Sequence, residues 1–514
     1  MNFHRLLRRC RIIRQLQAAH AAAAASGILS RHPGATLAAL LKSLAVLRPL
    51  PPPSLSLPYA LSLFHSFPHP PSTFFHNYVI RLHLSLDPPS LIPAVLLFSR
   101  LRSLSLPPDT HSFPLALSAA SRLRLLRLGR SLHAQTVRFG FSGNLYVRNA
   151  LISMYSSTSL PDAGRVFHEQ PTAVDIVTYN TLIDGYIKAG KIDDAYRLFD
   201  EMPVRDAVSW GTILAGHAGA GRHWDALQLF GRMLAAGFQP DDVALVSALS
   251  GCAQQGELDR GRAVHDYIRS NRTGLTVYLS TALLDMYAKC GAIEAAVKVF
   301  DESPHRNLFT WNAIIVGLAM HGRGELSLEY FRNMAAAGVQ PDGVTFLGAL
   351  VACSHCGLME TARRIFSEME SVHGVRRELK HYGCMADLLG RAGLIGEAVE
   401  MIEGMPVDGD KYVWGGLLAG CRIHSENVEV AEVVARKLLE LDPGNGGVYT
   451  ILGEMYASGG RWEDAARMRR LADGLKGKKR AGQSVVEVPC KHSNTIYSLF
   501  PFTTCLERIN TSHN

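Results

Sequence analysis

The sequence predicts an all-α solenoid, a series of two-helix hairpins stacked one on the next, and three observations predict it. The first is self-similarity. Residues 176–206 (IVTYNTLIDGYIKAGKIDDAYRLFDEMPVRD) and 277–307 (VYLSTALLDMYAKCGAIEAAVKVFDESPHRN) are 31-residue copies of one pattern, and a fixed period of this size marks a repeat architecture. The second is spacing: Tyr179, Leu182, Ile183 and Tyr186 fall at i, i+3, i+4 and i+7, one face of a helix. The third is punctuation. Ala189-Gly190 breaks that helix, a second apolar stripe runs through Ile192, Ala195, Leu198, Phe199 and Met202, and Pro203 stops it. One such hairpin cannot bury its apolar faces, whereas ten or more in series can.

Taken in order, residues 1–15 place Arg5, Arg8, Arg9, Arg11 and Arg14 among Phe3, Leu6, Leu7, Cys10 and Ile13 with no acid. That is the composition of an organelle import segment, mitochondrial rather than chloroplast because Arg is dense and Ser absent. Residues 16–72 are expected to be degenerate repeats. The array proper spans 73–410 in units 73–109, 110–144, 145–175, 176–206, 207–241, 242–276, 277–307, 308–342, 343–378 and 379–410. Segments 411–445 and 446–488 continue the helical spacing, and 489–514 is a degenerate tail.

Composition excludes several classes. With 47% apolar and 19% charged residues the chain is too hydrophobic to be disordered. No apolar run reaches the ~18 residues of a membrane span, so no membrane partner is expected. Nine cysteines in 514 residues form no disulfide framework. The net charge of +8 suggests a polycation, but its distribution disagrees. Residues 1–161 hold 17 Lys and Arg against Asp87 and Asp109 alone, while the remaining 353 carry 36 Lys and Arg against 43 Asp and Glu. The body of the chain is therefore not a generic polycation.

The words VTYNTLIDGYIKAGKIDDAYRLFDEM, YAKCGAIEAAVKVFDE, FTWNAIIVGLAMHGRGELSLEYFRNMAAAGVQPD and ACSHCGLMETARRIFSEM resemble the pentatricopeptide repeat family of land plants, in its variant with alternating long and short repeats. The resemblance covers roughly residues 12–490. KYVWGGLLAGCRIHSENVEVAEVVARKLLELDPGN (411–445) looks like the family's E motif, and 446–488 like its E extension, with Val486 where an aromatic is usual. The resemblance implies a right-handed superhelix of helix-turn-helix repeats with a tetratricopeptide-like helical C-terminal region. It also implies an organellar RNA-binding protein, most often a specificity factor for C-to-U RNA editing.

In that family each repeat meets one base through its fifth and last residues. Here those pairs are Asn77 and Asp109, Asn149 and Asp175, Asn180 and Asp206, and Asn312 and Asp342, which resemble the uracil-preferring combination. Thr281 with Asn307 resembles the adenine-preferring one. An Asn amide carries both a donor and an acceptor for a base edge, and an Asp can orient or water-bridge the contact. Pro114 with Asn144, Val246 with Thr276, and Leu347 with Glu378 fall outside the pattern, as do Gly211 with Asp241 and Gly383 with Asp410. In chain order the expected site is 5′ Y-n-Y-Y-n-n-A-Y-n-n 3′, Y leaning to uracil. Asn and Asp also favour helix starts, so capping is the competing account of the same residues. Lys188, Lys289 and Arg391, each thirteenth in its unit, are candidate phosphate contacts, or simply cations at helix C-termini.

Trp210, Trp311, Trp414 and Trp462 are expected in the core rather than stacked on bases. Cys353 and Cys356 with His373 or His381 have ligand chemistry for zinc, but the repeat pattern already accounts for them, so no metal and no cofactor is expected. His424-Ser-Glu426 and Cys353-Ser-His-Cys356 echo a zinc deaminase in the wrong order, and Cys490 and Cys505 supply no downstream C-x-x-C. No catalytic residue is therefore expected. The expected partners are single-stranded organellar RNA and a deaminase-domain protein acting in trans with other editing factors, with no small-molecule substrate. The alternatives are an organellar splicing, stability or translation factor on the same scaffold, and a helical protein-binding scaffold.

Overall fold

The computed structural model describes residues 7, 10, 12–45, 47, 52–68, 71–86, 89–169, 175–271, 274–423 and 428–476. Asp87, four of the N-terminal arginines (Arg5, Arg8, Arg9 and Arg11), His424, Glu426, Val486, Cys490, Cys505 and the 489–514 tail lie outside the described residues. Among the described residues every regular element is a helix, and none is long and apolar enough to cross a membrane. The all-α, hairpin-repeat class expected from the periodicity is the observed one. The helices divide between two compact units, Met1–Ala220 and Gly221–Asn514.

In the first unit the hairpins include Thr73–Leu84 with Leu91–Ser103, Ser112–Arg122 with Leu126–Arg138, Leu145–Thr158 with Leu160–His168, and Ile176–Lys188 with Ile192–Asp200. Each first helix packs on its own partner and on the first helix of the next hairpin, ending at Ala207–Gly219. Upstream, Ile13–Ala25, Pro33–Ala45, Pro53–His65 and Thr73–Leu84 share a core built on Leu16, Leu40, Leu44, Leu63 and Val79. Leu7 is buried in that core and Cys10 and Ile13 pack against it, so part of the 1–15 segment is integrated with the hairpins.

The second unit repeats the arrangement from Asp242–Gln255 with Leu258–Asn271 through Gly343–Cys356 with Met359–Ser371 and Leu379–Arg391 with Ile395–Glu403. Lys411–Ile423, Val428–Leu441, Gly446–Ser458 and Trp462–Lys476 continue it into the C-terminal segments. The turn glycines at equivalent positions, Gly190 (φ 73°) and Gly291 (φ 82°), are left-handed, a conformation any side chain resists. Two of the junctions between hairpins recur in detail. His133 Nδ1 lies 3.0 Å from the Tyr155 hydroxyl and His265 Nδ1 2.8 Å from that of Tyr287.

The tryptophan expectations divide. Trp210 and Trp311 are buried, each set edge-on to the preceding phenylalanine at 4.8 Å, Phe199 and Phe300, and Trp414 is buried in the C-terminal core. Trp462 is 68% exposed. It opens the helix Trp462–Lys476, ahead of the turn that Ala465 buries in the core, so the core expectation for Trp462 was wrong.

Candidate nucleic-acid interface

The last residue of a unit is the N-cap of the next unit's first helix. Asp175 caps Ile176–Lys188, Asp206 caps Ala207–Gly219, Asn307 caps Leu308–Met320 and Asp342 caps Gly343–Cys356, each through its side chain. Asp109 does the same from a position slightly further upstream, accepting from the backbone N–H groups of His111 and Ser112 at 2.9 Å. Capping is thus real at every coded junction, and it satisfies N–H groups that a helix start leaves open.

The fifth residues do something capping alone does not require. Asn77 donates its Nδ2–H to Asp109 Oδ1 at 2.9 Å, and Asn312 donates to Asp342 Oδ1 at 3.0 Å. The Asn149 and Asn180 amides lie so as to favour the charged forms of Asp175 and Asp206. At Asn77–Asp109 and Asn312–Asp342 the pair is therefore one assembly bridging consecutive first helices. Because a carboxylate only accepts, the amide must turn its nitrogen to the Asp and its carbonyl away, which fixes its orientation. At the adenine-type junction, Thr281 Oγ1 and Thr310 Oγ1 are 3.2 Å apart, and Asn307 Oδ1 accepts from Thr310 Oγ1 at 3.0 Å. Asn77, Thr281 and Asn312 are 7% exposed or less.

Two sets of positioning residues were missed by the repeat reading. One is the third residue of the next hairpin. Ser112, Thr178, Ser209, Thr310 and Thr345 each place a hydroxyl 2.7 to 3.0 Å from the capping side chain, as in a capping box. The other is an arginine immediately before the last residue. Arg205, Arg306 and Arg377 stack over Phe199, Phe300 and Phe366 at 5.0, 4.5 and 4.4 Å. Each donates from Nε to that same phenylalanine's carbonyl. These brackets anchor the loop from which Asp206, Asn307 and Glu378 start the next helix.

Burial pushes the carboxyls of Asp109, Asp175 and Asp206 up. The hydrogen bonds from the serine or threonine hydroxyl, the helix N–H and the asparagine outweigh it, so all three sit below the ordinary carboxylate value. The charged form is the one the fold favours. Its contribution is present above the ordinary value of 3.8 and is lost as pH falls through the lower folded value. Urea midpoints of wild type and Asp206→Asn against pH should show a constant gap in favour of wild type near neutrality that closes below the ordinary value. A gap that widens on acidification would reverse the assignment.

The candidate phosphate contacts are all committed within their own helices. Lys188 pairs with Asp184 at 2.7 Å, Lys289 with Asp285 at 2.8 Å and Arg391 with Asp387 at 2.9 Å, each at i,i+4. Lys188 is exposed, whereas Lys289 keeps only 15% of its side chain accessible. Arg391 borders a cavity of about 510 Å³ with Lys380, Asp387, Lys411 and Tyr412, where the fifth positions Gly383 and Gly415 supply no side chain. Cys353 is buried and Cys356 exposed, His373 lies against Phe346, and His381 Nε2 is 2.7 Å from the Gly343 carbonyl. Among the described residues no three His, Cys, Asp or Glu side chains form a group that could hold a metal ion.

The pentatricopeptide repeat model matches residues 173–203, 208–238, 279–308, 309–339, 344–372 and 380–410, and the E motif model matches 424–487. A pentatricopeptide repeat-containing protein of Arabidopsis thaliana is 46% identical over 492 residues, covering 94% of this chain and 98% of its own. A second from the same plant is 42% identical over 436 residues, covering 84% and 82%. Among solved structures, that of the maize pentatricopeptide repeat protein PPR10 in complex with an 18-nt psaJ RNA element has a TM-score of 0.69 over 92% of this chain and 74% of its own. At 17% identity that likeness is one of fold.

Proposed function

Because the chain belongs to the pentatricopeptide repeat family, we propose that it binds single-stranded RNA, one base per hairpin, as a site-recognition factor for C-to-U editing in a plant organelle. The observation that carries the reading is the hydrogen-bonded Asn–Asp assembly. The pair recurs at four junctions at one repeat phase, bonded at 2.9 and 3.0 Å at two of them and with the asparagine lowering the carboxyl at the other two, and it sets a donor beside an acceptor between consecutive first helices. A cap needs only the Asp; the asparagine one hairpin earlier adds an oriented amide. The array is of the alternating long and short type, its E region recruits the deaminase in trans, and the mitochondrion is the favoured compartment on the Arg-rich, acid-free N-terminus.

Asn180→Thr combined with Asp206→Asn recreates the Thr281–Asn307 combination. It should move preference at one RNA position from uracil to adenine by about tenfold, within the range one base-edge contact pattern supplies. The check is binding to oligonucleotides varied at that position, and lower stability with unchanged preference would leave only capping. In the organellar transcriptome of a knockout, an edit lost just 3′ of the footprint supports editing. A retained intron with every edit present sends the same scaffold to splicing.

A further inference from the structure

Resting on the reading just given, we infer that the third residue of each hairpin is a positioning residue for the preceding hairpin's base contact, and that threonine or serine there decides between strict uracil and either pyrimidine. The chain's own pattern is the first observation. The polar fifth residues Asn77, Asn149, Asn180, Thr281 and Asn312 are followed in the next hairpin by Ser112, Thr178, Ser209, Thr310 and Thr345, hydroxyls throughout. The apolar or glycine fifth residues Pro114, Gly211, Val246, Leu347 and Gly383 are followed by Val147, Ala244, Leu279, His381 and Val413, none of them a hydroxyl. A hydroxyl that served the cap alone would have no reason to track a residue one hairpin away. Asp241 makes the point directly, since it caps Asp242–Gln255 over an alanine.

The second observation is geometric and divides the asparagines in two. Thr178 Oγ1 lies 2.7 Å from Asn149 Oδ1 and 2.7 Å from Asp175 Oδ1, and Thr345 Oγ1 lies 2.5 Å from Asn312 Oδ1 and 3.0 Å from Asp342 Oδ1, so the one hydroxyl proton serves either acceptor. Opposite serine the amide carbonyl has no partner, and Asn77 Oδ1 and Asn180 Oδ1 are buried without a hydrogen bond. The Ser112 and Ser209 hydroxyls reach the caps Asp109 and Asp206 but not the amides. The β-branch restricts the χ1 angle of threonine, so its oxygen stays between cap and amide, whereas serine turns more freely.

A threonine-backed amide has its carbonyl turned to the hydroxyl and shows the RNA an N–H. At the exocyclic 4-position uracil carries an acceptor and cytosine a donor, so a fixed donor selects uracil. A serine-backed amide has one fewer hydrogen bond to lose on turning over. It can present its carbonyl to the cytosine amino group, so it accepts either pyrimidine. The site becomes 5′ Y-n-U-Y-n-n-A-U-n-n 3′, with uracil strict opposite Asn149 and Asn312 and relaxed opposite Asn77 and Asn180.

The test uses the full chain and a random single-stranded RNA pool selected in parallel by wild type, Thr178→Ser, Ser209→Thr and Thr178→Val. Thr178→Ser should lower the uracil-to-cytosine ratio at one position by about fivefold, the size of one neutral hydrogen bond. Ser209→Thr should raise it by a similar factor at the neighbouring 3′ position. Both swaps keep the capping hydroxyl, so their folding is secured independently of Thr178→Val, which should match or exceed Thr178→Ser. A wild type that enriches a pyrimidine site left unchanged by both swaps overturns this inference alone. A wild type that enriches no sequence overturns the RNA-binding reading and this inference with it.

Discussion

Gly420→Ala is expected to destabilise the C-terminal half of the protein by about 3 kcal/mol, the upper end of overpacking costs. A β-carbon at 420 would stand 2.4 Å from Gly390 Cα and 2.5 Å from its carbonyl carbon. Both are backbone atoms, so no rotamer change relieves the clash, and the helices Leu379–Arg391 and Lys411–Ile423 must separate. The sign is what makes the measurement decisive. Glycine inside a helix ordinarily costs about 1 kcal/mol relative to alanine, so the intrinsic expectation is stabilisation. Gly415 lies on the same helix with nothing within 4 Å of its β-carbon position. Gly415→Ala should therefore stabilise by roughly 0.5–1 kcal/mol. Urea unfolding of both variants gives opposite shifts if the seam is a backbone contact; equal shifts would refute it. The seam also joins the last hairpin of the array to the helices that lead into the E motif match, so its loss should disturb the docking of that region before it affects Asn149 or Asn180.

The hairpin architecture was legible because a helix's apolar stripe follows from local spacing, as with Tyr179, Leu182, Ile183 and Tyr186. The fifth and last residues of the candidate interface were legible by resemblance. The third-position hydroxyl, as in Thr178, stands in plain view in the sequence but meets a side chain of the previous hairpin, Asn149, 29 residues away. No helical periodicity exposes a partner at that distance; only the stacking of first helices brings the two together. The cations show a signal the sequence did hold: Asp184, Asp285 and Asp387 sit four residues before Lys188, Lys289 and Arg391, a spacing that implies i,i+4 pairs beside the phosphate and helix-terminus readings. Trp462 fails for another reason. A tryptophan at the first position of a helix has no turn before it to lie on, so the apolar character of the residue type carries no direction.

Trp311→Ala is expected to lose about 3–5 kcal/mol, the range for truncating a buried aromatic, and to relax one base preference as a consequence. Trp311 is 5% exposed and lies edge-on to Phe300 at 4.8 Å and to Tyr330 at 6.3 Å. Phe300 in turn carries the Arg306 guanidinium at 4.5 Å and accepts from it through its carbonyl. Arg306 precedes Asn307, the cap that works with Thr281 and Thr310 at the adenine-type junction. Removing the indole leaves a cavity on one side of Phe300, and the ring's freedom passes along the bracket to Asn307. Preference should therefore weaken at the adenine position first, while the positions opposite Asn149 and Asn180 keep theirs. Because each repeat in a stacked array contacts chiefly its neighbours, hydrogen exchange should rise in Ile293–Glu302 and Leu308–Met320 and stay near wild type in Ile176–Lys188. A tryptophan that stacked on a base would behave differently. Its loss would reduce affinity for every sequence alike with little change in the urea midpoint, and that outcome would move Trp311 from the core to the RNA.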